Sequence, residues 1–259
     1  MNNNTFQIQS TSAPMFATPN KNCDLETECL FGETVQVLKR YKDWIFCKLT
    51  TDNYEGWLKF KNLSMTFKTT HFVITPRTII TKNSDVKSPA LGYLSLGSLV
   101  SVRKISNEWA EIDFNNINEG KIGYIHKSHL LKKNERVKDW VSVSEELINI
   151  PYKWGGRDTI GLDCSALVQL SLNTSRIFLP RNTSDQINSK YFKKVTLNEI
   201  TRGCLIFWHG HVAVAINKTK IIHANAHHMR VQVEKLSCAI RRLGDPVSIK
   251  TLKKNSCKV

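Results

Sequence analysis

The stretch GLDCSALVQL, residues 161–170, sets an acid, a thiol and a hydroxyl side by side just ahead of an apolar run. Asp163 is suited to cap a helix that opens with Cys164, Ser165 and Ala166 and continues through LVQLSL. A thiol at a helix start faces unpaired backbone amides and the positive end of the helix dipole, which favours thiolate. Free cysteine is also among the most buried residue types, and the chain has seven, so Cys164 can equally be a packed core thiol. Position alone leaves both readings open.

The flanks separate them. The glycine-rich approach YKWGGRDTIG, residues 152–161, suits a backbone that lets a substrate come close. A nucleophilic thiol needs a base in reach, itself oriented by a third group. Downstream, RGCLIFWHGHVAVAI, residues 202–216, reads as two strands about His209 and Gly210, with His211 entering the second. KIIHAN, residues 220–225, reads as a third strand containing His223. Antiparallel pairing would set His211 and His223 on neighbouring rows of one face. One histidine at a strand end is most often structural, but two on adjacent strands with a helix-start cysteine form a constellation.

The chain is 259 residues long, enough for two or three units. Its formal charge of +15 draws it toward polyanions. The lysines and arginines are spread along the whole sequence, however, with no basic run interleaved with aromatics, so no nucleic-acid partner is expected. Cys23, Cys29, Cys47, Cys164, Cys204, Cys238 and Cys257 show no pairing pattern and no CxxC, as in a reducing compartment. The opening MNNNTFQIQSTSAPMF is polar, and no run of about 18 apolar residues occurs. No membrane span is expected, and a cytoplasmic location is.

The first half repeats itself. Gly32, Val35, Val37, Trp44, Gly56, Trp57 and Leu63 fall against Gly97, Val100, Val102, Trp109, Gly123, Tyr124 and Leu130. Each copy alternates apolar and polar residues over short segments, which predicts strands, and strands so short in a unit of this size predict a small barrel. After KKNERVKD the period changes: Trp140, Val143, Ser144, Leu147 and Ile148 fall at helical intervals until Pro151. The expected domains are residues 6–64, 65–131 and 133–250. The two copies resemble bacterial SH3 domains.

PYKWGGRDTIGLDCSALVQ, LPRNTSDQ, RGCLIFWHGHVAVAI and IIHANAHHMRV follow one another in the order and spacing of the NlpC family of papain-like cysteine peptidases, which the third domain resembles. The resemblance implies an α+β fold, with two SH3-like barrels ahead of a catalytic domain whose cysteine-bearing helix packs on an antiparallel sheet. It implies hydrolysis of γ-D-glutamyl-diamino acid bonds in peptidoglycan-derived peptides, in wall turnover or recycling. On the matching positions Cys164 is the nucleophile, His211 the general base and acid, and His223 the group that orients His211. Tyr152 lines the site and, with the Cys164 amide, serves the oxyanion. Asp163, Ser165 and Thr183 match residues that contact substrate. In relatives with paired SH3 domains an acid and a tyrosine of the first barrel hold the free N-terminus of short peptides, and Glu28 and Tyr54 are the matching candidates.

Cys204 stands where the family usually has Asp, Ala166 where it has Gly, and Asn182 where it has Asp. No cofactor is implied. His227 and His228, or His209 with His211, lack the cysteine or carboxylate spacing of a metal site, so no metal is expected. Two other readings use the same residues: a wall-peptide binding protein with an inactive papain-like domain, and an amidase or acyltransferase with the same Cys-His-His set.

Overall fold

The repeated pattern of the first half folds into two copies of one strand arrangement. The structure is a computed structural model and describes residues 4–116 and 119–253. Its residues fall into two units, the first ending at Arg136 and the second starting at Val137.

In the first unit, β1 (Thr5–Ile8), β2 (Ser12–Phe16), β3 (Leu25–Leu30), β4 (Thr34–Tyr41), β5 (Trp44–Leu49), β6 (Glu55–Lys59) and β7 (Leu63–Ser64) form a sheet in the order β3-β2-β6-β5-β4-β1-β7. The second copy runs through β8 (His71–Val73), β9 (Arg77–Thr81), β10 (Ala90–Ser95), β11 (Leu99–Val100), β12 (Val102–Ser106), β13 (Trp109–Asn116), β14 (Glu119–His126) and β15 (Leu130–Lys132). Its ladders, β10-β9-β14-β13-β12 and β11-β8-β15, repeat the same pairings, with β11 and β12 standing in for β4. Both copies turn on left-handed residues at matching places, Gly32 with Gly97 and Lys42 with Asn107.

Alternation decides what each strand buries. Val35, Val37, Ile45, Cys47, Leu49 and Leu58 fill the first core, and Val73, Ile80, Leu94, Val100, Ile112 and Ile125 the second. Phe31 links them. It follows β3 of the first copy yet is buried in the second copy's core, where it contributes roughly 1.5–3 kcal/mol. Beside it a Cβ on Gly32 would run into the carbonyl oxygen of Leu99, and the Leu99 amide donates to the Phe31 carbonyl at 2.8 Å.

The second unit opens with α1 (Trp140–Glu146), whose Asp139 cap accepts the Val141 amide at 3.1 Å. A small hairpin, β16 (Arg157–Asp158) and β17 (Gly161–Leu162), leads to α2 (Cys164–Asn173). After α3 (Thr183–Gln186) come β18 (Phe192–Val195), β19 (Leu205–Trp208), β20 (His211–Ala215), β21 (Lys220–Asn225), β22 (Arg230–Lys235), α4 (Leu236–Leu243) and β23 (Ser248–Leu252). The six strands form an antiparallel sheet in the order β18-β23-β19-β20-β21-β22.

Helix α2 packs against α1 and against β20 and β21. Enclosed in this way, it is buried on all sides from Cys164 to Leu172 and lacks the polar stripe of a surface helix. Its polar members are paired inside: Gln169 Nε2 donates to the Leu179 carbonyl at 3.0 Å, and Ser144 Oγ lies 2.9 Å from Ser171 Oγ. Among the described residues no helix is long and apolar enough to cross a membrane.

Candidate active site

Cys164 is the first residue of α2, with Asp163 as its cap. The ladder between β20 and β21 holds Val214 against Ile222 and Ala215 against Ile221, and goes no further toward His211. The Val212 amide acts on the Cys164 sulfur to favour its ionised form, and α2 packs on β20, so the thiol lies near the start of the strand that His211 opens. His211 Nε2 lies 2.8 Å from Nδ1 of His223, which is fully buried on β21. The Trp208 ring lies 6.0 Å from that of His211, and its Nε1 donates to the Gly244 carbonyl at 2.8 Å. Cysteine and both histidines of the constellation therefore meet at one place.

Burial holds this group uncharged. It pushes the Cys164 thiol up to about 12, with the Asp163 charge acting in the same direction. It pushes His211 down to about 4, with Arg242 adding to the effect. His223 is pushed down to about 3 by burial first and by His211 second. The thiolate expected from the helix start is thus not the resting state. A helix terminus supplies at most about 2 kcal/mol, or about 1.5 pK units, whereas full burial shifts a pKa by up to roughly 3–5. The resting pair is thiol and imidazole.

Tyr152 lies within electrostatic reach of Cys164 and Asp163. Burial, then those two neighbours, raise its phenol to about 12, so it stays protonated and able to donate. Its amide donates to the Met229 carbonyl at 3.0 Å, tying the loop before the hairpin to the turn before β22. The glycines of that loop serve the protein itself. A Cβ on Gly156 would strike the Gly161 carbonyl, and one on Gly161 would meet Lys153 Cβ at 2.6 Å, so the hairpin closes only with glycine there.

Asp163 is fully engaged with the protein. Its Oδ1 accepts Ser165 Oγ, the Ala166 amide and Arg181 Nη1, each at 2.9 Å. Its Oδ2 accepts the Gly155 amide at 3.1 Å and Arg181 Nη2 at 2.6 Å. Five donors exceed the roughly four lone-pair sites of a carboxylate, so a substrate ammonium would have to displace one of them. Ser165 Oγ also accepts Arg181 Nη1 at 2.7 Å. Thr183 is half-buried at the start of α3, whose Gln186 Nε2 donates to the carbonyls of Ser165 and Pro180, both at 3.0 Å. Arg181 and Gln186 lock the PRNTSDQ segment onto the start of α2, a role that sequence reading missed.

Glu28 and Tyr54 belong to the first unit. Glu28 is buried on β3, and the Tyr54 hydroxyl donates to Glu26 Oε2 at 2.6 Å. Glu26, at the bulge between Thr27 and Leu25, is a second acid of β3 beside this tyrosine, one that the sequence did not single out. Cys204 is fully buried under the sheet, where its sulfur takes the Thr201 amide at 3.4 Å in place of a carboxylate's stronger hydrogen bonds. Cys257 lies outside the described residues.

One residue of this neighbourhood has no counterpart in the sequence reading. Glu234 Oε1, on β22, lies 2.8 Å from His223 Nε2, off the line of the ring N–H. Both Glu234 oxygens also accept the Arg242 guanidinium of α4. Burial alone would raise the Glu234 carboxyl, but Arg242 and His223 together outweigh it and hold the group below the usual carboxylate range. By ligand type His223, His228 and Glu234 could hold a metal, their nearest donor atoms lying within 4.8 Å of one another. Arg242 already neutralises that carboxylate and occupies both its oxygens, which disfavours a second cation.

Residues 149–242 match the NlpC/P60 family, and residues 15–63 match the bacterial dipeptidyl-peptidase SH3 domain. The chain is 23% identical over 245 residues to dipeptidyl-peptidase 6 of Lysinibacillus sphaericus, covering 86% of this chain and 89% of that one. It is 23% identical over 252 residues to the gamma-D-glutamyl-L-lysine dipeptidyl-peptidase of Bacillus subtilis, covering 84% and 81%. The crystal structure of an NlpC/P60 family protein from Bacillus cereus shares the fold with a TM-score of 0.81, at 18% identity over 95% of this chain and 98% of that one.

Proposed function

From the premise that this chain carries an NlpC/P60 domain of the cysteine peptidase type behind an SH3 domain, we propose that it cleaves the bond between γ-D-glutamate and a diamino acid in short peptidoglycan-derived peptides. The observation that carries this reading is the joint placement of Cys164 at a helix start beside β20 and of His211 within 2.8 Å of His223. The relatives named for γ-D-glutamyl-L-lysine dipeptidyl-peptidase activity support the choice of bond.

In this mechanism His211 takes the proton of the Cys164 thiol as the sulfur attacks the γ-carbonyl carbon of the D-glutamyl residue. Starting from a neutral pair, the charges separate only as the C–S bond forms. The developing oxyanion receives the Cys164 amide and the Tyr152 hydroxyl, which remains a donor because its pKa is raised. His211 then returns the proton to the amine of the departing diamino acid, and water hydrolyses the thioester. Ser165 and Thr183 line the D-glutamyl side, while Asp163 shapes the site through Arg181 and the start of α2. Glu28 and Tyr54, supported by Glu26, hold the free amino terminus. No cofactor takes part.

The test is incubation of the full chain with L-Ala-γ-D-Glu-L-Lys and with its diaminopimelate analogue. L-Ala-D-Glu and the free diamino acid are the expected products by mass. Cleavage at the other amide bond of the tripeptide, or transfer of the acyl group to an added amine without hydrolysis, would replace the peptidase reading with an amidase or acyltransferase. Binding without any turnover would favour a wall-peptide binder.

A further inference from the structure

His223 lies opposite Gln232 in the ladder between β21 and β22, so Glu234, two residues on, projects from the same side of the sheet as its diagonal neighbour. The contacts run in a line from His211 Nε2 to His223 Nδ1 at 2.8 Å, from His223 Nε2 to Glu234 at 2.8 Å, and from Glu234 to Arg242. An ionised carboxylate can only accept a hydrogen bond, and a guanidinium can only donate. A bare ring nitrogen facing a carboxylate oxygen at this distance would set two lone pairs against each other, so the proton of neutral His223 belongs on Nε2.

Its Nδ1 is then an acceptor, and the His211 nitrogen facing it, Nε2, must carry the other proton. That leaves Nδ1 of His211 with the lone pair. We propose that Glu234, clamped by Arg242, is a positioning residue that sets the tautomers of His223 and His211 and so keeps the basic nitrogen of His211 free to take the Cys164 proton. This rests on the reading of Cys164 and His211 as nucleophile and base. Glu234 touches no reacting atom and acts through the two rings, as partners behind a functional histidine commonly do.

Two variants separate this from mere packing. His223 Nε2 and Arg242 Nη2 both face Oε1 of Glu234, so Glu234→Gln keeps its amide oxygen there, accepts from both and preserves the tautomers. Glu234→Leu fills a similar space without an acceptor, so nothing holds the His223 proton on Nε2. Once that proton sits on Nδ1, the His211 proton is driven onto its own Nδ1, where it blocks the base. Tautomer control predicts a kcat lower by roughly tenfold or more in Glu234→Leu with KM little changed, and recovery in Glu234→Gln, a general-base contribution being roughly 100-fold or more. A packing role predicts that leucine and glutamine behave alike.

Ring ¹⁵N shifts of the full chain read the tautomers directly. The expected result is protonation of both histidines at Nε2 in the unaltered protein and in Glu234→Gln, lost in Glu234→Leu. Protonation of His223 at Nδ1 in the unaltered protein would overturn the proposal, even if the variant failed to fold. Wild-type kcat in Glu234→Leu would overturn it too, provided Cys164→Ala and His211→Ala are inactive. Turnover surviving in those two variants would instead sink the catalytic reading beneath it.

Discussion

His211 Nε2 and His223 Nδ1 lie 2.8 Å apart, joining the first residue of β20 to the middle of β21 at the point where the ladder between these strands has ended. The next residue, Val212, carries the amide that acts on the Cys164 sulfur, so the first two residues of β20 serve the base and the nucleophile together.

Removing the base should cost as much as removing the nucleophile. His211→Ala is expected to lower kcat by roughly 100-fold to 10,000-fold. His223→Gln should retain more activity, because an amide oxygen can still accept from His211 Nε2. Cys164→Ala/His211→Ala should be little worse than either single variant, since such groups act as a unit. Steady-state kinetics on the tripeptide decide it. Near-normal turnover in His211→Ala would send the search for a base elsewhere, first to His209.

Stability should fall on mild acidification. The folded-state values of His211 and His223, about 4 and about 3, lie below the ordinary 6.5, so the unfolded chain binds protons that the folded chain refuses. The stabilisation is fully present above about pH 6.5 and is lost as the pH falls toward 4, by a few kcal/mol in all. Urea unfolding at pH 7.5 and pH 4.5 measures it, and the loss should be smaller in His223→Gln. The same loss in protein and variant would contradict the burial argument.

Arg181 should be structural first. Its guanidinium is almost wholly buried against Asp163, and Arg181→Met would leave that carboxylate and the Ser165 hydroxyl without their partner. Breaking a buried pair by removing one member costs about 3–5 kcal/mol. Chemical denaturation should show a loss of that order. A loss below about 1 kcal/mol, a surface pair's value, would mean that water replaces the guanidinium.

The parts of this molecule that depend on local pattern were legible in its sequence. The matched glycines and tryptophans gave away the duplication, and the DCS segment, His211 and His223 were singled out before the structure brought them near one another. The unread parts depend on contacts between distant segments. Nothing in PRNTSDQ shows that Arg181 runs inward to Asp163, because arginine is ordinarily a surface residue. Glu234 could have been noticed, since RVQVEK alternates and places an acid on the row of His223, but only the register of β21 against β22 makes them neighbours. The thiolate expectation failed because a helix dipole is visible in sequence, whereas enclosure of α2 on every side is not.

A free amino terminus should matter to the substrate. A charge-assisted hydrogen bond to a partly buried carboxylate is worth about 1.5–3 kcal/mol, and 1.4 kcal/mol is tenfold. N-acetylation of the tripeptide should therefore lower kcat/KM at least about tenfold, and Tyr54→Phe or Glu28→Gln should shrink that discrimination. Equal rates on free and acetylated peptides would show that the amine is not read.

Covalent labelling with an electrophile built on L-Ala-γ-D-glutamate, its reactive carbon in place of the scissile carbonyl, tests the central claim most directly. General alkylation is less telling, because Cys238 is exposed whereas Cys164 is buried. Peptide mapping at neutral pH should find the label on Cys164, with activity lost in step with its incorporation. A label on another cysteine, or full labelling of Cys164 with activity intact, would contradict Cys164 as the nucleophile.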